Sequence, residues 1–292
     1  AERALPPDDP LLFSSRFVLS QALLTAGRYV EGLAILEPLE RQIGNEQSLR
    51  AAALLDRLAS GYTAVGRLSE GLLAQQKSYL MTVALVGADH PDTLRAINNY
   101  GNNLRQLGDN DAALPFVRQA YEGYNRLYGP GHLASVISAR GLSLVLGELG
   151  QPKESLQIIE PQISAAVERL GPEHRQTINT KVHQAELLDL VGRYAESIAV
   201  SESVLAPATK LFGESGELTI ISHTILAGAL AGAGDRARAQ DQLAIALERI
   251  QRIKDQRRAL ALLGVAAAAA ERIDDGPRLE ALLRQFVDLA DQ

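Results

Sequence analysis

The chain has 292 residues, a formal net charge of −6, no Cys, no Trp and only 4% aromatic residues. Without Cys there is no disulfide scaffold, thiolate metal site or Cys nucleophile. The mild acidity and lack of basic runs argue against a nucleic-acid partner, and no apolar stretch approaches the roughly 20 residues of a membrane span, so no membrane insertion is expected. A 46% hydrophobic and 22% charged chain is a globular one. With few aromatics its core falls to Leu, Ala, Ile and Val, which favours closely packed helices over a sandwich or barrel.

In chain order, the sequence reads as seven helix–turn–helix units. Pro10 stands ahead of Gly27 at the same spacing as Pro91 ahead of Gly108. The run Pro6–Pro10 therefore takes a linking position, with Asp9 near a helix N-cap, and residues 1–7 read as the tail and link of a preceding unit. With no initiator Met, the expectation is a piece of a longer protein. The units then run 8–44, 45–87, 88–129, 130–171, 172–213, 214–254 and 255–292, one continuous repeat array. Each centres on a turn glycine: Gly27, Gly66, Gly108, Gly150, Gly192, Gly234 and Gly276. From Gly66 onward their interval is constant. The second helix of the first unit is one turn short, because Gly44 follows Gly27 more closely than Gly87 follows Gly66. The seventh unit is degenerate and is expected to cap the array.

Three columns accompany each glycine. The residue seven before it is small (Ser20, Ala59, Gly101, Ser143, Ala185, Ala227, Ala269), and so is the residue five after (Gly32, Gly71, Ala113, Ser155, Ser197, Ala239, Ala281). Two such columns around a turn imply close helix–helix contact, with Gly supplying the positive φ of a helix C-terminus. Four before the glycine stands a bulky residue (Leu23, Tyr62, Leu104, Leu146, Leu188, Leu230), replaced by Arg272 in the last unit. Glu31, Glu70, Glu154, Glu196 and Glu280 fall in the first turn of five of the second helices, where the helix dipole favours them. A second set of glycines, Gly87, Gly129, Gly171 and Gly213, links the units, and the run Gly87–Thr93 places His90 and Pro91 at a helix start.

The small–seven–glycine–five–small spacing and the G-R-Y-x-E-[AGS] runs at Gly27–Gly32 and Gly192–Ser197 resemble the tetratricopeptide repeat. The G-x-x-H-P-x-T link at Gly87–Thr93 and the Asn98–Gly101 run are similar to the 42-residue form found in kinesin light chains and bacterial signalling proteins. The standard motif's Trp is missing throughout. The resemblance implies an all-α, right-handed superhelical solenoid of antiparallel helix pairs, with the first helix of each pair lining a concave groove.

No chemistry is legible. There is no phosphate-binding loop, dinucleotide fingerprint, H-E-x-x-H or nucleophile elbow, so no enzyme and no cofactor are expected. His90, His132 and His174 recur at the same interval as the glycines, but equivalent positions on neighbouring helices stand too far apart for one metal ion, and a capping role is expected. His183, Glu186 and Asp189 lie along one helix side without a nucleophile, and the charges of residues 236–258 read as a solvated face. Gly129–Gly131 and the pairs Asp8–Asp9 and Asp274–Asp275 read as turn and link punctuation. Groove positions implied by the resemblance are Asp56, Ser60 and Thr63, then Asn98, Asn102 and Arg105, then Arg140 and Leu144, then Val182, Glu186 and Asp189, then Thr224 and Gly228. An Asn amide donates and accepts together, so Asn98 and Asn102 suit a peptide backbone, while Arg105 and Arg140 suit a carboxylate. The basic residues with which some tetratricopeptide domains clamp a heat-shock-protein tail are missing from these positions. The function expected is a peptide- or protein-binding scaffold, a regulatory or sensor module of a bacterial signalling protein such as a kinase or transcription regulator. A superhelix that closes on a small metabolite is the alternative, and self-association through a terminal repeat is a further partner mode. Absence of Cys suits cytoplasm and periplasm equally.

Overall fold

The computed structural model describes residues 10–253 and 255–273 together with a few isolated positions beyond. Asp8–Asp9, Asp274–Asp275, Gly276 and the tail at residues 1–7 lie outside the described residues. Thirteen helices are present among those described, and no strand. They are α1 (Pro10–Thr25), α2 (Tyr29–Ile43), α3 (Leu49–Ala64), α4 (Leu68–Val86), α5 (Pro91–Gln106), α6 (Asn110–Tyr128), α7 (Leu133–Glu148), α8 (Pro152–Arg169), α9 (Arg175–Leu190), α10 (Tyr194–Phe212), α11 (Glu217–Gly232), α12 (Arg236–Gln251) and α13 (Gln256–Ile273). Odd-numbered helices are the first of each pair. The chain divides into two compact units, Ala1–Leu127 and Tyr128–Gln292.

The turn inside each pair is set by local hydrogen bonding. At Gly66, φ is +83°, the glycine N–H donates to the Thr63 carbonyl, and the Arg67 N–H donates to the Tyr62 carbonyl at 2.8 Å. This is a Schellman closure, with its usual contact between the residue after the glycine and the bulky residue four before it: the Arg67 guanidinium lies 4.2 Å from the Tyr62 ring. The same long bond runs from Arg28 to Leu23, Asp109 to Leu104, Gln151 to Leu146, Arg193 to Leu188 and Asp235 to Leu230. The bulky column is therefore both the last core residue of its helix and the acceptor that ends it.

The small columns meet face to face. Ser143 and Ser155 share a 2.5 Å hydroxyl contact, Ser155 also donates to the Ser143 carbonyl, and Ser197 donates to the Ala185 carbonyl at 2.7 Å. At Gly71 an added Cβ would stand 2.6 Å from Thr63 Oγ1 and 3.1 Å from the Ala59 carbonyl. Close backbone approach leaves little volume for aromatic side chains, which agrees with the composition.

The links explain the other recurring residues. The Nδ1 atoms of His90, His132 and His174 accept from the N–H of Asp92, Ala134 and Gln176 and cap α5, α7 and α9. Thr93 and Thr219 donate to the carbonyls of Gly87 and Gly213 in the links that precede them. Gly131, in the Gly-Pro-Gly link, donates its N–H to Gln162 Oε1 at 3.0 Å, and its φ of +73° brings it against the Ala165 backbone.

In the first unit Leu36, Leu39, Leu54 and Leu58 are fully buried, and Tyr79, Tyr100 and Phe116 form an aromatic cluster with centroids 4.9–5.9 Å apart. Helix α2 has 15 residues against 19 in α4. Its missing turn leaves a cleft of about 440 Å³ walled by Ile43, Leu55, Leu80 and Met81. In the second unit Leu142, Leu146, Leu187 and Leu188 are fully buried, while Leu226 and Leu230 of α11 cluster with Leu243 and Leu262. Helix α11 is buried on nearly every side. Part of the reason is Arg272, which passes over Gly228 to pair with Asp189 of α9 and lies 5.7 Å from the Tyr194 ring.

Candidate functional site

In the first unit, Asp56 of α3 organises the site. It is 3% exposed. Its Oδ1 accepts from Gln75 Nε2 at 3.0 Å and Asn99 Nδ2 at 2.9 Å, and its Oδ2 accepts from Arg95 Nη1 at 2.6 Å. One buried carboxylate thus ties α3 to α4 and α5. It is saturated from inside the protein, so the groove position expected for a ligand is occupied by a structural hub.

Above this hub lies a cleft of about 410 Å³. Its α3 wall carries Ser60 and Thr63; its α5 wall carries Asn99, Asn102, Asn103 and Gln106. Those four carboxamides fall at i, i+3, i+4 and i+7, one helix face. The expected face of Asn98, Asn102 and Arg105 is therefore turned by about one position. Asn98 is buried at 7% exposure, and its Oδ1 has no hydrogen-bond partner. Arg105 is half-buried and outside the lining of this cleft. Asn102 is shared by both faces; its Nδ2 donates to the Asn98 carbonyl at 2.8 Å, which leaves its Oδ1 toward the cleft as an acceptor. Ser60 is exposed and donates to the Asp56 carbonyl.

The second unit holds a different cleft, of about 380 Å³, between the starts of α9, α11 and α13. Arg140, Arg175, Asn179 and Arg258 line it with Phe212 and Glu217. Arg140 was expected on the groove; Arg175 and Asn179 stand earlier on the stripe that continues to Val182, Glu186 and Asp189. Counting only three positions per helix omits those first turns. Arg258 belongs to the stretch expected to be a solvated face, and its side chain is 44% exposed. Arg175 lies 4.9 Å from the Phe212 ring and has no carboxylate partner among the described residues. Arg258 Nε is 3.8 Å from Glu217 Oε2. The Asn179 Oδ1 is buried with no hydrogen-bond partner.

The His183 cluster divides. His183 Nδ1 is 3.1 Å from Glu186 Oε2, and its Nε2 is buried without a partner. Asp189 pairs with Arg272 instead. Val182 and Thr224 are buried, Leu144 is half-buried and Glu186 is exposed. Among the described residues no three His, Asp or Glu side chains gather to hold a metal, and no helix is long and apolar enough to cross a membrane. The first-turn glutamates are clamped as well as placed by the helix dipole: Arg67 Nε and Nη2 donate to Glu70 at 2.7 and 2.5 Å, and Arg193 holds Glu196 at 2.7 and 2.6 Å. In both cases the guanidinium hydrogen bond holds the carboxyl below its usual range.

Antiparallel helix pairs joined through small-residue columns and Schellman turns, with polar clefts on the first helices, define a helical-repeat scaffold. The chain carries tetratricopeptide repeats: the profile of the Tetratricopeptide repeat family matches residues 49–126 and 98–160. The chain is 24% identical over 236 residues to a clustered mitochondria protein homolog of Aspergillus clavatus, covering 70% of this chain. It spans only 18% of that relative's length. In fold it is similar to the nearly identical TPR-like repeats of a putative kinesin light chain from Podosopora anserina, with a TM-score of 0.60 and 18% identity over 70% of this chain and 96% of that one. It is also similar to NprR in complex with its cognate peptide NprX, with a TM-score of 0.68 and 14% identity over 97% of this chain and 79% of that one.

Proposed function

We propose that the protein is a non-enzymatic scaffold that binds an extended peptide segment in the concave face of its first helices, with the amide cleft of the first unit as a contact centre. The observation that carries this is the row Asn99, Asn102, Asn103 and Gln106 over Ser60 and Thr63. A peptide backbone presents one donor and one acceptor per residue whatever its side chains, and carboxamides answer both. A row of them one turn apart suits an extended chain and offers nothing to a nucleophilic or acid–base reaction. The buried Asp56 hub fixes the orientation of Asn99, so part of the binding surface is ordered before the ligand arrives. The likeness of fold to NprR, whose complex holds a peptide, supports a regulatory or sensor role within a larger bacterial signalling protein. The relatives named clustered mitochondria protein homologs support the scaffold and not that particular setting.

The test is selection of peptides from a random display library against the full chain, followed by affinity measurement on Asn102→Ala/Gln106→Ala. The expected result is at least a tenfold weaker Kd with a Tm close to that of the parent. Selected peptides that bind the double variant equally well would place the contact centre elsewhere. A large thermal shift with small metabolites and no selectable peptide would favour a superhelix that closes on a small ligand.

A further inference from the structure

Helix α1 carries a single charged residue, Arg16, and places apolar residues on every side. A helix apolar all round is one that is covered all round. On one side α1 packs into the core of the first unit through Phe13, Phe17 and Leu24. On the other, Val18 is 65% and Leu19 52% exposed, with Ser15 and Ala22 exposed beside them.

This outer face is the one through which the repeats stack. The offset that carries Gly27 onto Gly66 carries Leu12, Ser15, Leu19 and Ala22 onto Ala51, Leu54, Leu58 and Gly61 of α3. All four of those are buried. At Gly61 an added Cβ would stand 2.7 Å from Leu33 of α2 and 3.5 Å from Leu24 of α1. In α3 the row meets the preceding pair, whereas in α1 Leu19 and Ala22 remain exposed.

The order of side chains in the row selects what covers it. Leu12, Ser15, Leu19 and Ala22 fall at i, i+3, i+7 and i+10, a coiled-coil seam that alternates large and small. An antiparallel copy of the same row sets Leu12 against Ala22 and Leu19 against Ser15, so each leucine fills the space over a small residue. A parallel copy sets leucine on leucine and small on small, and leaves voids. The row is therefore complementary to itself in one direction only. Its hydroxyl does not oppose burial, because Ser15 donates to the Leu11 carbonyl at 2.7 Å. Arg16 is exposed at the margin, where its stem can lie along the seam with the guanidinium in water.

We propose that α1 is a self-association face through which two copies of this chain pair antiparallel, Leu12 on Ala22 and Leu19 on Ser15. Such a contact is isologous and closes at two chains. It rests on α1 alone and is independent of any ligand in the amide cleft. A 16-residue helix is about 24 Å long, so the contact is smaller than a standard interface, and a Kd on the order of 10–100 µM is expected.

The test is sedimentation equilibrium of the full chain at concentrations that bracket this Kd. A monomer–dimer equilibrium is expected. Val18→Glu/Leu19→Glu is expected to weaken it at least tenfold with unchanged circular dichroism, since both side chains are exposed. Leu73→Glu, at a similarly exposed leucine of α4, is expected to leave it unchanged. A chain that stays monomeric throughout, or a dimer indifferent to the α1 variant, overturns the second copy as the occupant of this face. Assemblies that grow beyond two chains overturn the isologous pairing. Because the chain has no Cys, direction can be read from disulfide formation under mild oxidation. Leu12→Cys/Ala22→Cys is expected to give a covalent dimer, and either single variant none. Covalent dimers from Leu12→Cys alone overturn the antiparallel direction.

Discussion

Replacing Asp56 by Ala removes the acceptor shared by Gln75, Asn99 and Arg95, and the structure sets the cost of each loss. Gln75 is 1% exposed, and its Nε2 would be left with only a 3.5 Å approach to the Ala96 carbonyl. An unmet buried amide donor costs about 1–3 kcal/mol. Asn99 is half-buried and reaches water from the cleft, so its loss is about 0.5–1.5 kcal/mol. Arg95 is 42% exposed and rehydrates, which limits its share to under about 1 kcal/mol. The expected destabilisation of the first unit is therefore about 2–4 kcal/mol, dominated by Gln75. Asp56→Asn keeps an oxygen for Gln75 and Asn99 and forfeits only the charged bond to Arg95, so it is expected to cost about 1–2 kcal/mol. Because repeats melt as coupled neighbours, the assay is urea denaturation paired with amide hydrogen exchange resolved along the chain. Protection should fall in α3, α4 and α5. If Asp56→Ala lost under about 0.5 kcal/mol, with exchange in these helices unchanged, the carboxylate would not be the hub that its contacts describe.

Substitutions at two further positions of the second unit give results of opposite sign or distinct pH dependence. At Gly228 an added Cβ meets Arg272 and Asp189 only at 3.4–3.5 Å, so Gly228→Ala is expected to be neutral or to gain up to about 1 kcal/mol of helix propensity. Gly228→Leu displaces Arg272, leaves the 12%-exposed Asp189 side chain unpaired and is expected to cost about 2–3 kcal/mol by urea denaturation. His223 Nδ1–H donates to Gln242 Oε1, 2.7 Å away, and burial, the largest influence, lowers its pKa with help from the charge of Arg249 and against the opposing effect of the Gln242 bond. A lowered folded-state pKa means that the unfolded chain takes up the proton first, so this contribution is present above about pH 6.5 and is lost as pH falls below it. Thermal unfolding followed from neutral into mildly acidic pH should therefore show a shallower acid loss in His223→Gln than in the parent; identical slopes would mean that the burial of His223 carries no such linkage.

The fold was legible because the constraints repeat. A turn needing positive φ, two backbones in contact across it and a carbonyl that closes it recur in unit after unit, and only a few residue types satisfy each. Gly66, the Ala59 and Gly71 columns and Tyr62 could all be read from spacing alone. The candidate site was less legible. Asn98 and Asn99 are adjacent, and which one faces solvent depends on how α5 is rotated by its neighbours, a difference of one position that periodicity does not resolve. Asp56 stood correctly on its helix, but its partners come from α4 and α5, and no local pattern announces a carboxylate satisfied by residues 19, 39 and 43 positions away. The helix interiors at Pro38, Pro115, Pro161 and Pro207 show the same limit, since packing of the pair outweighs a residue that local propensity would use as a break.

The one break in the bulky column has a structural consequence that reaches the candidate site. Where six units end the first helix with Leu or Tyr, α13 has Arg272, and where other first helices carry a side chain on the groove face, α11 has Gly228. Each departure fits the other. A guanidinium at the end of α13 can reach α9 only across a residue with no side chain, and Asp189, otherwise a nearly buried carboxylate, receives it. The C-terminal ends of α9, α11 and α13 are thereby occupied by the chain itself. Their N-terminal ends stay open around Arg175, Asn179 and Arg258. Arg272→Ala should therefore uncover Gly228 and leave the 12%-exposed Asp189 side chain unpaired, a loss of about 2–3 kcal/mol by urea denaturation.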